Sequence, residues 1–346
     1  MEKKLYIETD IFENFKCKCG ECKRTCCSGW KISISKKEYY KLSTLECSKE
    51  LSDKIQSSLV EPDFPTDEVY RLISPNYLGY CPMLDDNGLC MIHKELGPEC
   101  LSEICRCYPR SYKKVNNVLQ ATCSNSCEAV VEQLLNIDSL SFKTVEKNNN
   151  PNITINIDDD IMALQLMFTN TIKDRSIPLN KRLNKIVNYL NNEDKENYDS
   201  LSAYLQVANF VKTVSINSEI YNNFLNILND RYDLNKDGLN QFKEDEKQFE
   251  LNYPDWQIYF ENIMINHFYY SSIPYVDNRI KRKDCTEGIC LLYALMKIIC
   301  SVCTINDRSK ENLICTLSDI FHLIEHSSFY YNAHLLINDE ASLLNI

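Results

Sequence analysis

The chain has 346 residues, enough to bury a sizeable core and most consistent with two domains. Its net charge of −11 disfavours a general nucleic-acid-binding role and suits either a basic partner or a simply solvated surface. Only 7 glycines are present, and none form a GxGxxG or P-loop pattern, so the classical nucleotide-binding folds are unsupported.

The N-terminal residues show no export signal. Lys3 and Lys4 are basic, but no apolar run follows them. The longest apolar stretch, Ile289–Ile299, is interrupted by Lys297 and is too short to span a membrane. We therefore expect a cytoplasmic protein without a membrane segment. In a reducing compartment, clustered cysteines are metal ligands more often than disulfides.

Cysteines dominate the first third of the chain. Thirteen of the 18 cysteines lie in residues 1–127, most of them in clusters at 17–27, 81–107 and 123–127. Thiolates reach this density where they share a soft metal ion or an iron–sulfur core. The pattern predicts one metal-bound unit assembled from three pieces of chain. Five later cysteines, most of them among apolar residues, are expected to be structural, namely Cys285, Cys290, Cys300, Cys303 and Cys315.

Several local elements can be predicted within this region. Residues 31–35, KISIS, alternate and predict a short strand, and Ser35 with Glu38 predicts a capping box at the start of a helix. Residues 60–80 contain three prolines and predict connecting loop. The run Asp85–Gly88 predicts a tight turn that brings the sulfurs of Cys81 and Cys90 together in a hairpin. Residues 128–135 have helical spacing.

The segment 147–152, KNNNPN, is the best candidate for a linker between domains at 1–146 and 153–346. Beyond it, an acidic start at 158–160 precedes a helix, and Pro178 suits the first turn of the next. Further helices are predicted at about 178–192, 197–213, 217–230, 238–250, 255–270, 287–304, 309–326 and 328–345. The predicted fold is mainly α, with a small cysteine-rich, metal-bound N-terminal module packed on an all-α C-terminal domain.

Three motif blocks carry a resemblance to a known family. The first is FxCxxxxCxxxCCxGW, found between Phe15 and Trp30. The second, CPxLxxxxLCxIxxxxG…LSxxCxxYPR, runs from Cys81 to Arg110. The third is SCPEAA, which appears at Ser126–Ala129 without its proline. Two later stretches, FENIMINHF at 260–268 and LIEHSSF at 323–329, are similar to the family's ENxLxNYxF and IEHNxxF.

On these blocks, the chain resembles the flagellin lysine N-methylase family, and more loosely a superfamily of short proteins with a CxxCxxCC zinc- or iron-chelating signature. The resemblance implies an enzyme that contains an iron–sulfur cluster and uses S-adenosylmethionine to methylate lysines of flagellin before export. The metal ligands it implies are Cys17, Cys22, Cys26, Cys27, Cys81, Cys90, Cys105 and Cys127. A 4Fe–4S cluster needs four thiolates and two zinc sites need eight, and we favour 4Fe–4S over zinc.

The chain departs from the family's pattern at several cysteines. Cys19 stands where the family usually has glycine, and Cys100, Cys107 and Cys123 are additional. The missing proline of the third block makes Cys123 a rival to Cys127. We predict that Cys19, Cys100 and Cys107 are dispensable for metal binding.

Methyl transfer to lysine requires a neutral amine aligned with the methyl sulfonium. Aromatic rings and acidic groups would attract the lysine and exclude water. Glu325 and His326 are the predicted catalytic residues, and Glu261, Asn262 and Asn266 are further candidates; for each of the five, helix packing or helix capping is the simpler explanation. No motif identifies the pocket for the methyl donor, which we expect in a cleft between the domains.

Two other function classes compete with this interpretation. The protein could be a metal carrier or storage protein, for which the cysteines are the function. It could also be a non-catalytic adaptor for a secreted filament protein. Specific binding of S-adenosylmethionine would separate the enzyme from both.

Overall fold

A computed structural model describes residues 4–116, 118–148, 155–157, 160–192, 200–214, 219–232 and 236–344. The protein is mainly helical, as predicted, and many of its cysteines lie in the N-terminal region. The contacts divide the chain into two compact units: the cysteine unit, residues 16–108, and the helical unit, residues 1–15 and 109–346. This grouping places 109–146 with the helices. The predicted division into domains at 1–146 and 153–346 stays a prediction, and most of its linker lies outside the described residues.

Strands and helices are numbered in chain order within the described ranges. The strands are β1 Lys4–Thr9, β2 Ile32–Ile34, β3 Leu59–Val60, β4 Arg71–Ile73, β5 Arg110–Val115, β6 Val118–Cys123, β7 Phe142–Lys147 and β8 Ile155–Ile157. The helices up to residue 191 are α1 Asp10–Asn14, α2 Lys36–Ser43, α3 Lys49–Ser58, α4 Met91–Leu96, α5 Glu103–Cys107, α6 Glu128–Leu135, α7 Ile161–Ile172 and α8 Leu179–Asn191. Those that follow are α9 Ser200–Val214, α10 Glu219–Arg231, α11 Lys236–Asn252, α12 Trp256–Tyr270, α13 Thr286–Cys303, α14 Lys310–Glu325, α15 Phe329–Leu336 and α16 Glu340–Leu343.

The cysteine unit contains the local elements predicted for it. Ser35 caps α2 and forms the full capping box with Glu38, which satisfies two backbone donors at the helix start. The predicted strand is β2, which pairs with β4 in the antiparallel sheet β2-β4-β3. Because β4 lies at Arg71–Ile73, the prediction of loop throughout 60–80 is wrong in part. A small separate core of nine buried apolar residues holds this unit together.

The helical unit also contains a five-stranded mixed sheet that the sequence did not reveal. Its order is β7-β1-β6-β5-β8, with β5 and β6 forming an antiparallel hairpin and β1 parallel to β6. Strand β8 lies beyond residue 153, so the prediction of an all-α C-terminal domain is corrected at that point. Lys113 and Lys114 in the middle of β5 break the apolar alternation that would have revealed the strand. The predicted packing of a metal-bound module on the helices stays a prediction.

The predicted helices are present with small shifts in their ends, except that the stretch 328–345 forms two helices, α15 and α16. The core of the helical unit surrounds α13, sixteen of whose residues are buried. Together with the turn before it, Arg282–Cys303 is long and apolar enough to cross a membrane by length and composition, contrary to the prediction for this stretch. However, 94% of its apolar window is buried inside the protein, as in a core helix.

Candidate functional site

The loop between β6 and α6 is fixed on both sides by buried hydrogen bonds. The Ser124 amide donates to the Pro109 carbonyl at 2.9 Å. The side-chain amide of Asn266 on α12 donates to the Cys123 carbonyl at 2.8 Å and to Asn125 Oδ1 at 2.6 Å. Since a buried backbone polar group is costly unless it is paired, these contacts hold the loop in one conformation. The loop therefore presents the hydroxyls of Ser124 and Ser126 to the end of α14.

Glu325, one of the two predicted catalytic residues, is the last residue of α14, and its side chain is fully buried. Its Oε2 accepts hydrogen bonds from Ser124 Oγ at 2.5 Å and from the Ser126 amide at 3.3 Å. Its Oε1 lies 2.9 Å from Nδ1 of His267 on α12. Ionised carboxylates only accept hydrogen bonds, so this contact assigns the Nδ1 proton to His267.

The contacts extend on either side of Glu325. Nε2 of His267 lies 3.0 Å from the hydroxyl of Tyr330 on α15. When the His267 proton is on Nδ1, Nε2 accepts a hydrogen bond from this hydroxyl. His326, the second predicted catalytic residue, has its Nε2 atom 3.0 Å from Ser126 Oγ. We call the six residues that make these contacts the serine–histidine cluster: Ser124, Ser126, His267, Glu325, His326 and Tyr330.

Burial controls the protonation of the imidazoles at the end of α14. His326 is exposed as a residue, but the atoms packed around its ring lower its pKa, and the nearby carboxylate of Glu325 only partly opposes this effect. Burial, with a smaller contribution from His326, lowers the pKa of His322 to about 3; the two rings are 5.8 Å apart. Both imidazoles are therefore neutral at pH 7. The neutral His326 ring can accept a proton.

A buried lysine lies close to the cluster. Lys113 on β5 is 5% exposed, and its Nζ atom lies 5.3 Å from the centroid of the Tyr270 ring. Burial lowers the pKa of Lys113 to about 7, although the charge of Glu325 acts in the opposite direction. Burial and Glu325 also raise the pKa of Tyr270. An amine in these surroundings is partly deprotonated at neutral pH, which is the state that methyl transfer to lysine requires.

Two other predicted candidates on α12, Glu261 and Asn262, make contacts that pack this helix against neighbouring segments. The fully buried carboxylate of Glu261 bridges Arg175 and Arg182 at 2.8 and 2.7 Å. Asn262 accepts from the Leu140 amide at 2.9 Å and donates to the carbonyls of Leu134 and Ile137. These contacts join α12 to the neighbouring segments, which agrees with helix packing as the simpler explanation for both.

Four of the predicted metal ligands lie near one another in the cysteine unit: Cys27, Cys81, Cys90 and Cys105. The Cys81 amide donates to the Cys27 carbonyl at 2.7 Å. The predicted turn at Asp85–Gly88 is present, and Leu84 pairs with Cys90 across it. The four thiols influence one another electrostatically, and negative charge on Cys27 raises the pKa values of the other three.

The protonation of these thiols differs from one to the next. A hydrogen bond with Cys26 lowers the pKa of Cys27 to about 7, against the effect of burial. Burial raises the pKa of Cys81 to about 12. Cys105 is exposed as a residue, but its sulfur is enclosed by surrounding atoms, which raises its pKa to about 11. Four thiols that influence one another electrostatically fit a metal group, which would replace their protons.

The remaining predicted ligands are more dispersed. The Cys19 amide donates to Cys17 Sγ at 3.2 Å, and Cys22 lines a cleft of about 610 Å³ together with Cys19 and Cys81. Cys127 belongs to the helical unit, where it precedes α6 and influences the buried thiol of Cys123 electrostatically. The eight predicted ligands are therefore distributed over both units. Which of them bind metal stays a prediction.

The spacing of the sulfurs bears on the kind of metal group. Within the cysteine unit, all of which is described, no three cysteine sulfurs lie within 4.8 Å of one another. Tetrahedral zinc with Zn–S bonds of 2.3 Å holds its sulfurs about 3.8 Å apart. A cubane cluster binds each thiolate to a different iron atom and so holds the sulfurs farther apart. The described cysteine unit therefore shows no preformed tetrahedral zinc site, and the kind of metal group stays a prediction.

Four members of the serine–histidine cluster were not predicted as site residues from the sequence: Ser124, Ser126, His267 and Tyr330. In the cysteine cluster at 123–127, the cysteines predict metal binding and the serines give no separate signal, although both Ser124 and Ser126 contact the end of α14. His267 lies within the motif stretch FENIMINHF, and Tyr330 directly follows LIEHSSF. The motif stretches were therefore the available signal, but nothing in them indicated that they meet in space.

Comparisons with known proteins agree with the motif blocks. The chain is 29% identical over 143 residues to the lysine-N-methylases of Salmonella choleraesuis strain SC-B67 and Salmonella typhimurium strain LT2. The chain is therefore similar to lysine-N-methylases over part of its length. The predicted resemblance to that family is confirmed, whereas membership of the cysteine-chelating superfamily stays a prediction.

The match to the lysine N-methylases covers 40% of this chain and 35% of each relative, so the matched part spans about a third of their length. A second kind of relative is the flagellar biosynthetic protein FliU of Salmonella muenchen, 28% identical over 130 residues, or 37% of this chain and 76% of that protein. No protein-family profile and no solved structure matches this chain.

Proposed function

We propose that this protein transfers methyl groups from S-adenosylmethionine to lysine side chains of flagellin before the subunit is exported. Its similarity to two lysine-N-methylases carries the proposal. The similarity to a flagellar biosynthetic protein supports flagellin as the substrate. Residues 151–346 contain 27 acidic and 18 basic residues, and this excess of negative charge would attract a lysine-bearing surface. In this proposal the reaction takes place in the cytoplasm, without a nucleic-acid or membrane partner.

The serine–histidine cluster supplies the groups for the proposed chemistry. The lysine amine must lose a proton before its lone pair attacks the methyl carbon and the carbon–sulfur bond breaks. His326 is neutral at pH 7 and accepts this proton. Glu325 accepts a hydrogen bond from the Ser126 amide, and the Ser126 hydroxyl contacts His326. The negative charge of Glu325 stabilises the imidazolium that forms on His326. His326 is thus the base, and Glu325 positions it and stabilises its charge.

The cysteine unit is the proposed metal centre. Cys27, Cys81, Cys90 and Cys105 would hold a 4Fe–4S cluster, or alternatively zinc, and the electrostatic influence of these thiols on one another is the supporting observation. When bound, the group cross-links separate segments of chain and could supply an electron-transfer centre. Cys17, Cys22, Cys26 and Cys127 stay proposed ligands. The residues that bind S-adenosylmethionine stay unassigned.

The cysteine unit also favours a second candidate, a metal-carrier protein without methyltransferase activity. The cleft lined by Cys19, Cys22 and Cys81 brings thiols to the surface, as a carrier that exchanges metal requires. A carrier needs no methyl donor. Specific binding of S-adenosylmethionine by the metal-replete protein therefore distinguishes the two functions.

The decisive experiment measures transfer of labelled methyl groups to purified flagellin from the same cell. The enzyme is purified without oxygen, and its iron, zinc and sulfide contents are determined beforehand. We expect labelled flagellin with wild-type enzyme, strongly reduced label with His326→Gln, and unchanged label with Glu311→Gln on the same helix. Absence of transfer by metal-replete enzyme, together with unchanged flagellin masses after deletion of the gene, would reject the proposal in favour of the carrier.

A further inference from the structure

A group of possible metal ligands lies outside the serine–histidine cluster and outside the cysteine unit. Asp284, Glu287 and His334 bring one ligand atom each to within 4.8 Å of one another, and all three residues are partly buried. Among the described residues no other His, Cys, Asp and Glu side chains meet this condition. We propose that these three residues form a binding site for a divalent first-row transition-metal ion.

The close packing of two helices creates this arrangement. A Cβ atom at Gly288 would lie 2.1 Å from Cδ1 of Tyr330, so only glycine allows α15 to approach the first turn of α13 this closely. His334 follows Tyr330 by one helical turn and therefore lies on the same face of α15. Its Nδ1 atom lies 3.8 Å from Glu287 Oε1, on the adjacent part of α13. Asp284 comes from the 3₁₀ turn that precedes α13.

His334 supplies the observation that points to a ligand. Its Nδ1 atom is buried and makes no hydrogen bond with any described residue, and the 3.8 Å contact with Glu287 is too long for one. A buried imidazole nitrogen without a partner is unfavourable, because the bond it made with water is not replaced. A cation between Nδ1 and the two carboxylates would satisfy this nitrogen.

The ligand set indicates the class of ion. Two carboxylates balance the charge of a divalent cation, and an imidazole nitrogen favours transition metals over Mg²⁺ or Ca²⁺. Partial exposure of all three residues leaves room for water at the remaining positions. The guanidinium of the nearby Arg282 forms an ion pair with Asp160 at 2.9 Å. Mn²⁺ is the suitable probe, since carboxylate ligands suit it and thiolates favour softer ions.

The site has a structural consequence for the serine–histidine cluster. A bound ion would cross-link α13 to α15, and α15 carries Tyr330, whose hydroxyl contacts His267 at 3.0 Å. The ion would thereby hold Tyr330 against the residue that contacts Glu325. This inference concerns a site separate from the proposed methyl transfer, so it can fail while that proposal survives.

The test titrates the purified full-length protein, with its cysteine-bound metal retained, with Mn²⁺ and follows the electron paramagnetic resonance signal of the free ion. We expect one Mn²⁺ per chain, displaced by Zn²⁺, and affinity at least tenfold lower in both His334→Gln and Glu287→Gln. The control Glu244→Gln, an exposed carboxylate on α11, should bind like wild type. Binding that is unchanged in His334→Gln, or no binding of either ion at millimolar concentration, would overturn the site.

A second measurement guards against variants that fold poorly. Because an ion that binds only the folded state stabilises it, saturating Mn²⁺ should raise the melting temperature of wild type by about 2 °C or more. The melting temperature of His334→Gln should not change on addition of Mn²⁺, whatever its starting value. An equal increase in both proteins would show that the ion binds elsewhere.

Discussion

Nδ1 of His267 lies 2.9 Å from Oε1 of Glu325, and both side chains are fully buried. This contact connects α12 to the end of α14, so it joins the two stretches that match the family motifs late in the chain. The carboxylate also accepts hydrogen bonds from Ser124 and from the Ser126 amide. A carboxylate with this many partners is held in one orientation, which is what a group that positions a base requires.

Replacement of Glu325 by glutamine tests this role. Glu325→Gln removes the charge that stabilises protonated His326 and turns one acceptor into a donor that faces His267 or Ser124. We expect methyl transfer to fall by about 10²-fold or more, the typical contribution of such groups. Circular dichroism should show a folded protein with stability reduced by about 1–3 kcal/mol. Full activity in this variant would contradict the assigned role.

Lys113 should make the stability of the protein depend on pH. Its pKa is lowered to about 7 in the folded state, whereas that of a free lysine is about 10.4. Between these values the unfolded chain binds the additional proton, so stability should rise as the pH increases from about 7 to 10. Below pH 7, the buried charge should cost on the order of 4 kcal/mol.

The measurement for Lys113 is urea unfolding at several pH values. The variant Lys113→Met should be more stable than wild type at pH 6, and this difference should shrink as the pH approaches 10. Lys114→Met, on the same strand and partly exposed, is the matched control and should retain the wild-type slope. Equal slopes in wild type and Lys113→Met would show that Lys113 remains protonated in the folded state.

Replacement of cysteines by serine should distinguish the metal ligands from the cysteines that do not bind metal. Cys90→Ser or Cys26→Ser should lose metal and destabilise the cysteine unit, because metal binding by thiolates is coupled to folding. The triple variant with serine at Cys19, Cys100 and Cys107 should keep the wild-type iron or zinc stoichiometry. Metal analysis and limited proteolysis provide the measurements. A fall to half the metal in the triple variant would show that this chain has recruited additional ligands.

The sequence predicted those structural elements whose defining residues are close together in the chain. The capping box of Ser35 and Glu38, the turn at Asp85–Gly88 and helix α6 each depend on residues that are close in the chain, and all were predicted. The sheet of the helical unit was missed because its pairing joins β1 to β6 and β7, more than 100 residues away. The sequence of a single short strand does not indicate which distant strand it pairs with.

The same limit applies to the candidate site. Glu325 and His326 were chosen from a motif, and the structure adds what a motif cannot contain: the serine hydroxyls of a distant loop that contact both residues. No pattern in the sequence indicated that Lys113 is buried near the candidate site. Lysines are rarely buried, so a lysine in a strand is ordinarily expected at the surface.

The contact between Gly288 and Tyr330 gives a final prediction, about the packing of α15. In Gly288→Ala, the new methyl group would overlap the Tyr330 ring, which must move together with its helix. Overpacking of this kind costs about 1–3 kcal/mol. Because Tyr330 contacts His267, the shift should also reduce methyl transfer. Chemical unfolding and the methylation assay measure the two effects separately.

A double-mutant cycle provides the control for this prediction. If overlap with the ring causes the loss, Gly288→Ala should cost little additional stability in a background that already carries Tyr330→Ala. The coupling between the two positions should then be at least about 1 kcal/mol, the range measured for residues in direct contact. Additive effects would instead mean that the alanine acts through helix α13 itself, and that the close approach of α15 does not depend on glycine at this position.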